Sequence, residues 1–257
     1  MRDALRAEWV KVQTLASTYW LVLAVPVLTV ALGTAMVTGT SYTASSYQDT
    51  TKLSLTGIDL SQAVVAVLAV LVISNEYNTN MMWITLTAMP RRLVVLGAKA
   101  TILIGLVVVG GVVAVGLSFL AGRVILSGDG FTVAHGYPLL SLAHGPTLRA
   151  VVGSVLYLVL VALLSLGIAI AIRDTAASIG IVLALLYLFP FLAQLVSDPN
   201  WHRHLEQIGP MTAGLAIQTT TNLQSLPISP WAGLAVLAAW ATGALAVGAL
   251  LFRFRDA

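Results

Sequence analysis

The sequence predicts an all-α integral membrane protein with six transmembrane helices. Of its residues, 58% are hydrophobic and only 9% are charged, and the mean hydropathy is +0.94. Soluble domains carry roughly 25% charged residues, so this composition indicates a chain surrounded by lipid. The apolar runs are apolar on every face, which favours helices over the alternating strands of a membrane barrel. No repeat, low-complexity segment or linker divides the chain, and we expect one transmembrane domain over residues 1–257.

Six runs without deeply placed charged residues approach the roughly 20 residues that a transmembrane helix needs. The runs cover residues 19–40, 60–74, 100–121, 150–172, 175–197 and 230–252. The second run is the shortest, and its polar flanks extend it to 58–75. The first run is longer than the apolar part of a typical secretory signal and follows an acid-containing stretch, so we expect it to be a retained helix.

The positions of lysine and arginine predict the orientation, because short cytoplasmic loops hold the excess of positive charge. With the N-terminus inside, the inner face carries nine cations: Arg2, Arg6, Lys11, Arg91, Arg92, Lys99, Arg173, Arg253 and Arg255. The outer face carries four: Lys52, Arg123, Arg149 and Arg203. We therefore expect both termini in the cytoplasm. The net charge of +3 then reflects topology, and it gives no reason to expect a nucleic-acid partner.

Residues 1–17 have the pattern of a helix that lies flat in the membrane interface. Leu5, Trp9, Val12 and Ala16 share one helical face, and Arg6 lies among the polar residues elsewhere. Such a helix can serve as a topology anchor for the first span or as a contact for a partner protein, and the pattern leaves both roles open.

Residues 75–99 form the longest internal cytoplasmic loop of this topology. A helix from Tyr77 to Ala88 would carry two apolar stripes, and Pro90 would end it. The stripes include Tyr77, Met81, Met82, Leu86 and Met89, while Arg91, Arg92 and Lys99 anchor the loop to the inner face. Adaptable methionine side chains suit a contact with a second protein, although a connector that packs only its own bundle fits as well.

Residues 198–229 form a long outer segment that mixes prolines with short apolar pieces. We expect one or two short helices that dip back toward the bilayer and pack against protein there. Within this segment His202, His204 and Glu206 are a weak alternative as zinc ligands, because their spacing is poor for one helix face and no fourth ligand is evident.

Several short motifs resemble those of type-two ABC exporter permeases of actinobacteria, whose membrane subunit has six helices. The first hundred residues carry the most specific motifs: Ala7-Glu8-Trp9 with Lys11, Ser17-Thr18-Tyr19-Trp20, Glu76-Tyr77, Thr85-Leu86, Pro90-Arg91-Arg92 and Ala98-Lys99. The resemblance also covers the short connector Arg173-Asp174 between the fourth and fifth spans and the long outer segment before the last helix.

The resemblance implies a surface for a separate ATPase subunit. Its coupling loop would contribute Glu76, Tyr77, Met81, Met82, Leu86, Met89, Arg91 and Arg92. The interfacial helix would contribute Leu5, Glu8, Trp9, Lys11 and Val12, and the second cytoplasmic connector Arg173 and Asp174. In such permeases, short outer helices close the exit of the translocation path.

The chemistry of the chain agrees with a subunit that takes its energy from a partner. The segment GAKAT at 97–101 lacks the spacing of a phosphate-binding loop, and the predicted spans hold no ion relay or hydrolase motif. We expect a permease homodimer with two ATPase subunits, which bind the ATP and Mg²⁺, so no cofactor belongs to this chain. The expected substrate is hydrophobic or amphipathic, and the expected location is a bacterial plasma membrane. The alternatives are a non-transport membrane scaffold and an enzyme or ion-coupled carrier with an unrecognised site.

Overall fold

The computed structural model describes residues 2–14, 16–40, 48–78, 92–128, 131, 137 and 140–254, and the regular elements in this part of the chain are all helical. The first five helices are α1 (Arg2–Thr14), α2 (Ala16–Thr38), α3 (Thr50–Leu55), α4 (Ile58–Asn78) and α5 (Arg92–Gly128). The others are α6 (Gly145–Ile172), α7 (Thr175–Leu195), α8 (Pro199–Ile208), α9 (Pro210–Leu215) and α10 (Pro230–Phe254). Two short 3-10 helices, Ala216–Gln218 and Leu223–Ser225, follow α9.

Six helices in the described part of the chain are long and apolar enough to cross a membrane, which confirms the predicted class and number of spans. They are α2, α4, α5, α6, α7 and α10, and each overlaps one of the predicted runs. The main difference is length, because α4 continues to Asn78 and α5 already begins at Arg92. At 37 residues, α5 is roughly 55 Å long and exceeds the roughly 30 Å core of a bilayer.

Helix α6 is the central element of the bundle. Its most apolar window is 67% buried by the chain itself, against 22% for α7 and for α10. Leu158, Leu164 and Leu166 are fully buried, and α6 packs against α4, α5, α7 and α10. Four of the other spans are therefore arranged around α6, while α2 packs on α4 and α5, and one side of α7 and α10 is left uncovered.

The contact between α6 and α10 depends on two glycines. A Cβ atom on Gly167 would lie 2.5 Å from the carbonyl carbon of Ala244, and one on Gly248 would lie 2.6 Å from the carbonyl oxygen of Gly167. No real side chain fits at such distances. Glycine at both positions lets the two backbones touch, which is a common way for helices to associate in lipid.

Between α8 and α10, residues 209–221 fold back into the bundle, and we call them the infolded segment. Its Ala213, Ile217 and Gln218 are buried, and Gly214 packs on the ring of Tyr157. The sequence predicts short helices here that pack against protein, and the structure has α8, α9 and the two 3-10 turns in this region. Backbone of this irregular kind is stable at membrane depth only when protein covers it.

Two charged residues hold the end of the infolded segment. The Asp49 carboxylate caps α3 at the Lys52 amide, and it also accepts hydrogen bonds from the Thr220 amide (2.5 Å), the Thr220 hydroxyl (2.7 Å) and the Thr221 amide (3.1 Å). Arg149 of α6 donates to the Thr219 carbonyl at 2.5 Å. Asp49, which caps α3, and Arg149 of α6 thus fix the three consecutive residues 219–221.

A buried polar contact joins the infolded segment to the spans. The Tyr157 hydroxyl donates to the Gln62 side-chain carbonyl, and both residues are fully buried. The Gln62 amide nitrogen lies 2.8 Å from the Asp59 carbonyl and 3.1 Å from the Met211 sulfur. These polar groups therefore find their partners inside the chain and stabilise the packing of α4, α6 and α9.

Candidate functional site: an ion network at the α1 end of the bundle

Helix α1, the last turn of α4 and the first turns of α5 meet at one end of the bundle. Glu8 and Lys11 lie three residues apart on α1, so both side chains point to one face of that helix. Glu76 lies in the last turn of α4, and Lys99 lies two turns into α5. Since α1 packs along α5, these four residues come together although up to 91 positions separate them in sequence.

The four side chains form an alternating ion network. The Lys99 ammonium lies 2.8 Å from Glu8 Oε2 and 2.5 Å from Glu76 Oε1. The Lys11 ammonium lies 3.0 Å from Glu8 Oε1 and 2.7 Å from Glu76 Oε1. Each lysine bridges the two carboxylates, so α1 is bound both to the last turn of α4 and to the first turns of α5.

Burial makes this network sensitive to the loss of any one charge. The Lys99 side chain is 0% exposed, the two glutamates are 7–8% exposed and Lys11 is 25% exposed. Two cations and two anions leave the group neutral, which is the condition under which buried charges persist in a low-dielectric surrounding. Removing one member would leave an uncompensated buried charge.

For Lys11, the effect of ion pairing on the pKa outweighs the effect of burial. Partial burial by itself lowers the pKa of the Lys11 ammonium, whereas the hydrogen bond and charge of Glu76, and then those of Glu8, raise it. The net effect is a pKa above the ordinary value of 10.5. Lys11 is therefore charged at physiological pH, as the network requires.

The network encloses Glu76 within the chain. Glu76 is 6% exposed, and its second carboxylate oxygen, Oε2, is buried without a hydrogen-bond partner among the described residues. The prediction that Glu76 contacts an ATPase is not tested by this geometry and stays a prediction. The structure adds an internal role, because Glu76 binds the C-terminal end of α4 to α5 and α1.

The second predicted connector lies beside the first. Arg173 ends α6 in a left-handed conformation (φ 64°), and its guanidinium carbon lies 5.4 Å from the centre of the Tyr77 ring. Asp174 caps α7 by accepting a hydrogen bond from the Ala177 amide at 2.7 Å. The turn between α6 and α7 is therefore held against the residue that follows Glu76, in a cation–π arrangement.

Helix α1 packs on the bundle by the face that carries Ala4 and Glu8, and it leaves part of its apolar stripe exposed. The stripe of Leu5, Trp9 and Val12 is only partly covered, and Trp9 remains 47% exposed. The buried positions are Ala4 and Glu8. The ion pairs decide this orientation, because the two glutamates and Lys99 can be buried only where they meet one another. The exposed Trp9 remains available to a membrane interface or a partner.

Of the remaining predicted contact residues of the coupling loop, the structure describes Arg92. Met81, Met82, Leu86, Met89 and Arg91 lie outside the described residues, and Arg92 is the first residue of α5. The missed features are the roles of Glu8, Lys11 and Lys99 as partners of Glu76. The signal in the sequence is that Glu76 and Lys99 each lie next to an otherwise uncharged span, whereas Glu8 and Lys11 lie in the charged N-terminal segment, and nothing local marks them as partners.

The predicted alternative of a zinc site at the outer segment finds no ligand set in the part of the chain that the structure describes. His202 Nε2 lies 3.5 Å from Glu206 Oε1, and its Nδ1 lies 2.7 Å from the Ala193 carbonyl. Over the described residues, no group of three His, Cys, Asp or Glu side chains could hold a metal ion. His202 instead connects α8 to the end of α7.

Comparison with known proteins agrees with this architecture. The sequence pattern of the family described as "ABC-2 family transporter protein" matches residues 4–191, which include most of α1, four spans in full, most of the fifth span and all four members of the ion network. No curated protein matches the chain. Permeases of the matched family are membrane components that pair with ABC ATPase subunits. The match covers well over half of the sequence, and the chain belongs to the ABC-2 family of transporter proteins.

Proposed function

We propose that this multi-pass membrane protein is the permease subunit of an ATP-driven exporter in a bacterial cell membrane. Two copies of the chain would pair with two separate ATPase subunits, which would hold the ATP and Mg²⁺. The exported molecule would be hydrophobic or amphipathic. The family supports a transport role, while the direction, the energy source and the substrate class are our proposals.

The ion network is the observation that carries the proposal. It joins α1, the end of α4 and the start of α5, and the last two flank residues 79–91, the core of the predicted coupling segment. A force applied to that segment reaches both flanking spans. Because Lys99 and Glu76 lie 2.5 Å apart and Glu8 binds the same lysine, the spans and α1 would move as one unit.

This arrangement suggests how an ATPase cycle would change the permease. Closure of the two ATPase subunits would push on residues 79–91 and, through the network, tilt α4 and α5 together with α1. The Arg173–Tyr77 contact would carry the same motion to the turn between α6 and α7. A substrate would then be released if its contacts differ between the two arrangements of the bundle.

The predicted substrate class is supported by the scarcity of charge within the bundle. The buried side chains of Gln62 and Tyr157 hydrogen-bond to each other, so this pair leaves little for a strongly polar substrate to bind. The infolded segment packs across α6 and α10 at the end opposite α1. In our proposal, this segment closes the outer end of the path in the state described.

Purification from native cells in mild detergent tests the function. A tagged chain should bring down an ABC ATPase, should hydrolyse no ATP when the partner is removed, and should support hydrolysis when the partner is restored. Efflux assays on cells that lack and carry the chain would then identify the substrate. If the chain brings down another class of protein and its deletion leaves efflux unchanged, it is a scaffold and the transport proposal is wrong.

A further inference from the structure

An apolar groove runs along the bundle between α7 and α10, with α6 as its floor. Its volume is about 740 Å³, which is within the range of sites for small ligands. Its walls include Ile181 and Leu185 of α7 and Gly243 and Val247 of α10, and its floor includes Gly167. None of the lining residues is charged.

The groove results from how the three helices pack. Gly167 and Gly248 bring α6 and α10 into backbone contact, whereas α7 packs on α6 and scarcely touches α10. At one end, the rings of Phe189 and Trp240 lie 6.3 Å apart and bridge the gap. The groove therefore has a floor, two walls and one closed end, and its open side faces outward between membrane-spanning helices.

The lining offers an occupant only apolar contact. The sole polar side-chain group on the wall is the indole of Trp240, and its N–H donates to the Ile208 carbonyl at 2.9 Å. A ligand with polar groups at this depth would lose its hydrogen bonds to water and gain none here. A hydrocarbon chain has no hydrogen bonds to lose, and the bilayer around these helices supplies such chains.

Basic residues lie beside the end of the groove that is nearest α1. Arg173 directly follows Ile172, the last lining residue of α6, and its guanidinium also lies over the Tyr77 ring. Arg253 lies exposed on the last turn of α10 at the same end of the bundle. Basic residues beside a gap between spans attract the headgroups of anionic lipids. We propose that the groove binds one acyl chain of an anionic phospholipid, with the phosphate near Arg173, and that this lipid fills the space between α7 and α10.

A pair of glycine variants tests the site. A Cβ atom on Gly243, in the groove, or on Gly105, on α5, would meet nothing within 4 Å, so a side chain can begin at either position without a clash, and leucine supplies the added volume. The full-length protein is placed in nanodiscs that contain an anionic phospholipid with a photoreactive group on its acyl chain. After illumination, mass spectrometry locates the cross-linked peptides. A parallel set of nanodiscs carries the same acyl chain on a zwitterionic headgroup.

We expect cross-links on α7 and α10 in the wild type, loss of most of them in Gly243→Leu, and no change in Gly105→Leu. Arg173→Gln should reduce the preference for the anionic lipid. Cross-links that are absent from the groove, or unchanged in Gly243→Leu, would overturn the proposal. A disulfide between two copies of a Gly243→Cys variant would also overturn the proposal, because a second chain would then cover the groove. Competition by an exported compound at concentrations well below that of the lipid would also overturn it and assign the groove to substrate.

Discussion

The Lys99 ammonium lies 2.5 Å from the Glu76 carboxylate, and the lysine side chain is 0% exposed. This contact joins two membrane-spanning helices on either side of the predicted coupling segment. Since Glu8 and Lys11 of α1 complete the network, three separate parts of the chain depend on one buried, neutral group of charges.

Removing Lys99 alone should cost more than removing it together with Glu76. Lys99→Met leaves two buried carboxylates that share Lys11 as their cation among the described residues, and loss of one partner from a buried pair costs about 3–5 kcal/mol. The double variant Lys99→Met/Glu76→Gln leaves the neutral Glu8–Lys11 pair, so part of the stability should return. Thermal unfolding of the purified protein in detergent measures this. Equal or greater loss in the double variant would show that the charges are not coupled.

The contribution of Lys11 should not depend on pH in the physiological range. The pKa of Lys11 is raised by Glu76 and Glu8, so its stabilising effect is fully present below the unfolded pKa of about 10.5 and is lost as the pH rises through the higher folded value. The difference in melting temperature between wild type and Lys11→Met should therefore be constant from about pH 7 to pH 9. A difference that disappears over this interval would contradict the pairing.

Asp49→Ala should destabilise the outer end of the bundle more than Asp198→Ala, which removes only a helix cap. Asp198 caps α8 through the Asn200 and Trp201 amides, and such a cap contributes about 1 kcal/mol. Asp49 caps α3 and also binds Thr220 and Thr221, and hydrogen bonds to a charged group add about 1.5–3 kcal/mol. Hydrogen exchange at residues 209–221 should rise in Asp49→Ala and stay unchanged in Asp198→Ala. Equal exchange in both variants would remove the anchoring role of Asp49.

The spans were predictable because a run of about twenty apolar, uncharged residues is typical of helices that cross a bilayer. The ends of the spans were harder to predict, because a helix can continue through polar residues that have partners in the folded chain. Glu76 and Lys99, at the two ends of the predicted loop, lie inside α4 and α5 because each neutralises the other there. Charge counting by segment assigns such residues to loops, because it ignores contacts between distant parts of the chain.

The face by which α1 packs shows the same limit. Its apolar stripe predicts contact of Trp9 with the membrane interface or a partner, and it gives no sign that Glu8 is buried. In the structure Glu8 is 6% exposed and Trp9 is 47% exposed. Periodicity describes one helix in isolation, whereas the ion pairs of Glu8 depend on Lys99, 91 residues away. The partner-facing role of the coupling segment came from family resemblance, and its residues 79–91 lie outside the described structure.

The orientation of the bundle is a separate prediction from the charge bias of nine cations to four. Accessibility of tags should place the two chain ends and the coupling segment on the cytoplasmic side and the outer loops on the other. The inner positions are Met1, Arg91 and Ala257, and the outer positions are Gln48, Gly136 and Gln207. Chain ends on opposite sides of the membrane would contradict an even number of spans.

If the ion network transmits the work of the ATPase to the spans, removing the Glu76 charge should separate hydrolysis from transport. The quantity to measure is the ratio of substrate transported to ATP hydrolysed by the complex in proteoliposomes, for wild type, Glu76→Gln and the outer-surface control Glu206→Gln. We expect Glu76→Gln to insert and bind the ATPase but to hydrolyse ATP with little transport, while Glu206→Gln matches wild type. An unchanged ratio in Glu76→Gln would contradict transmission through the network.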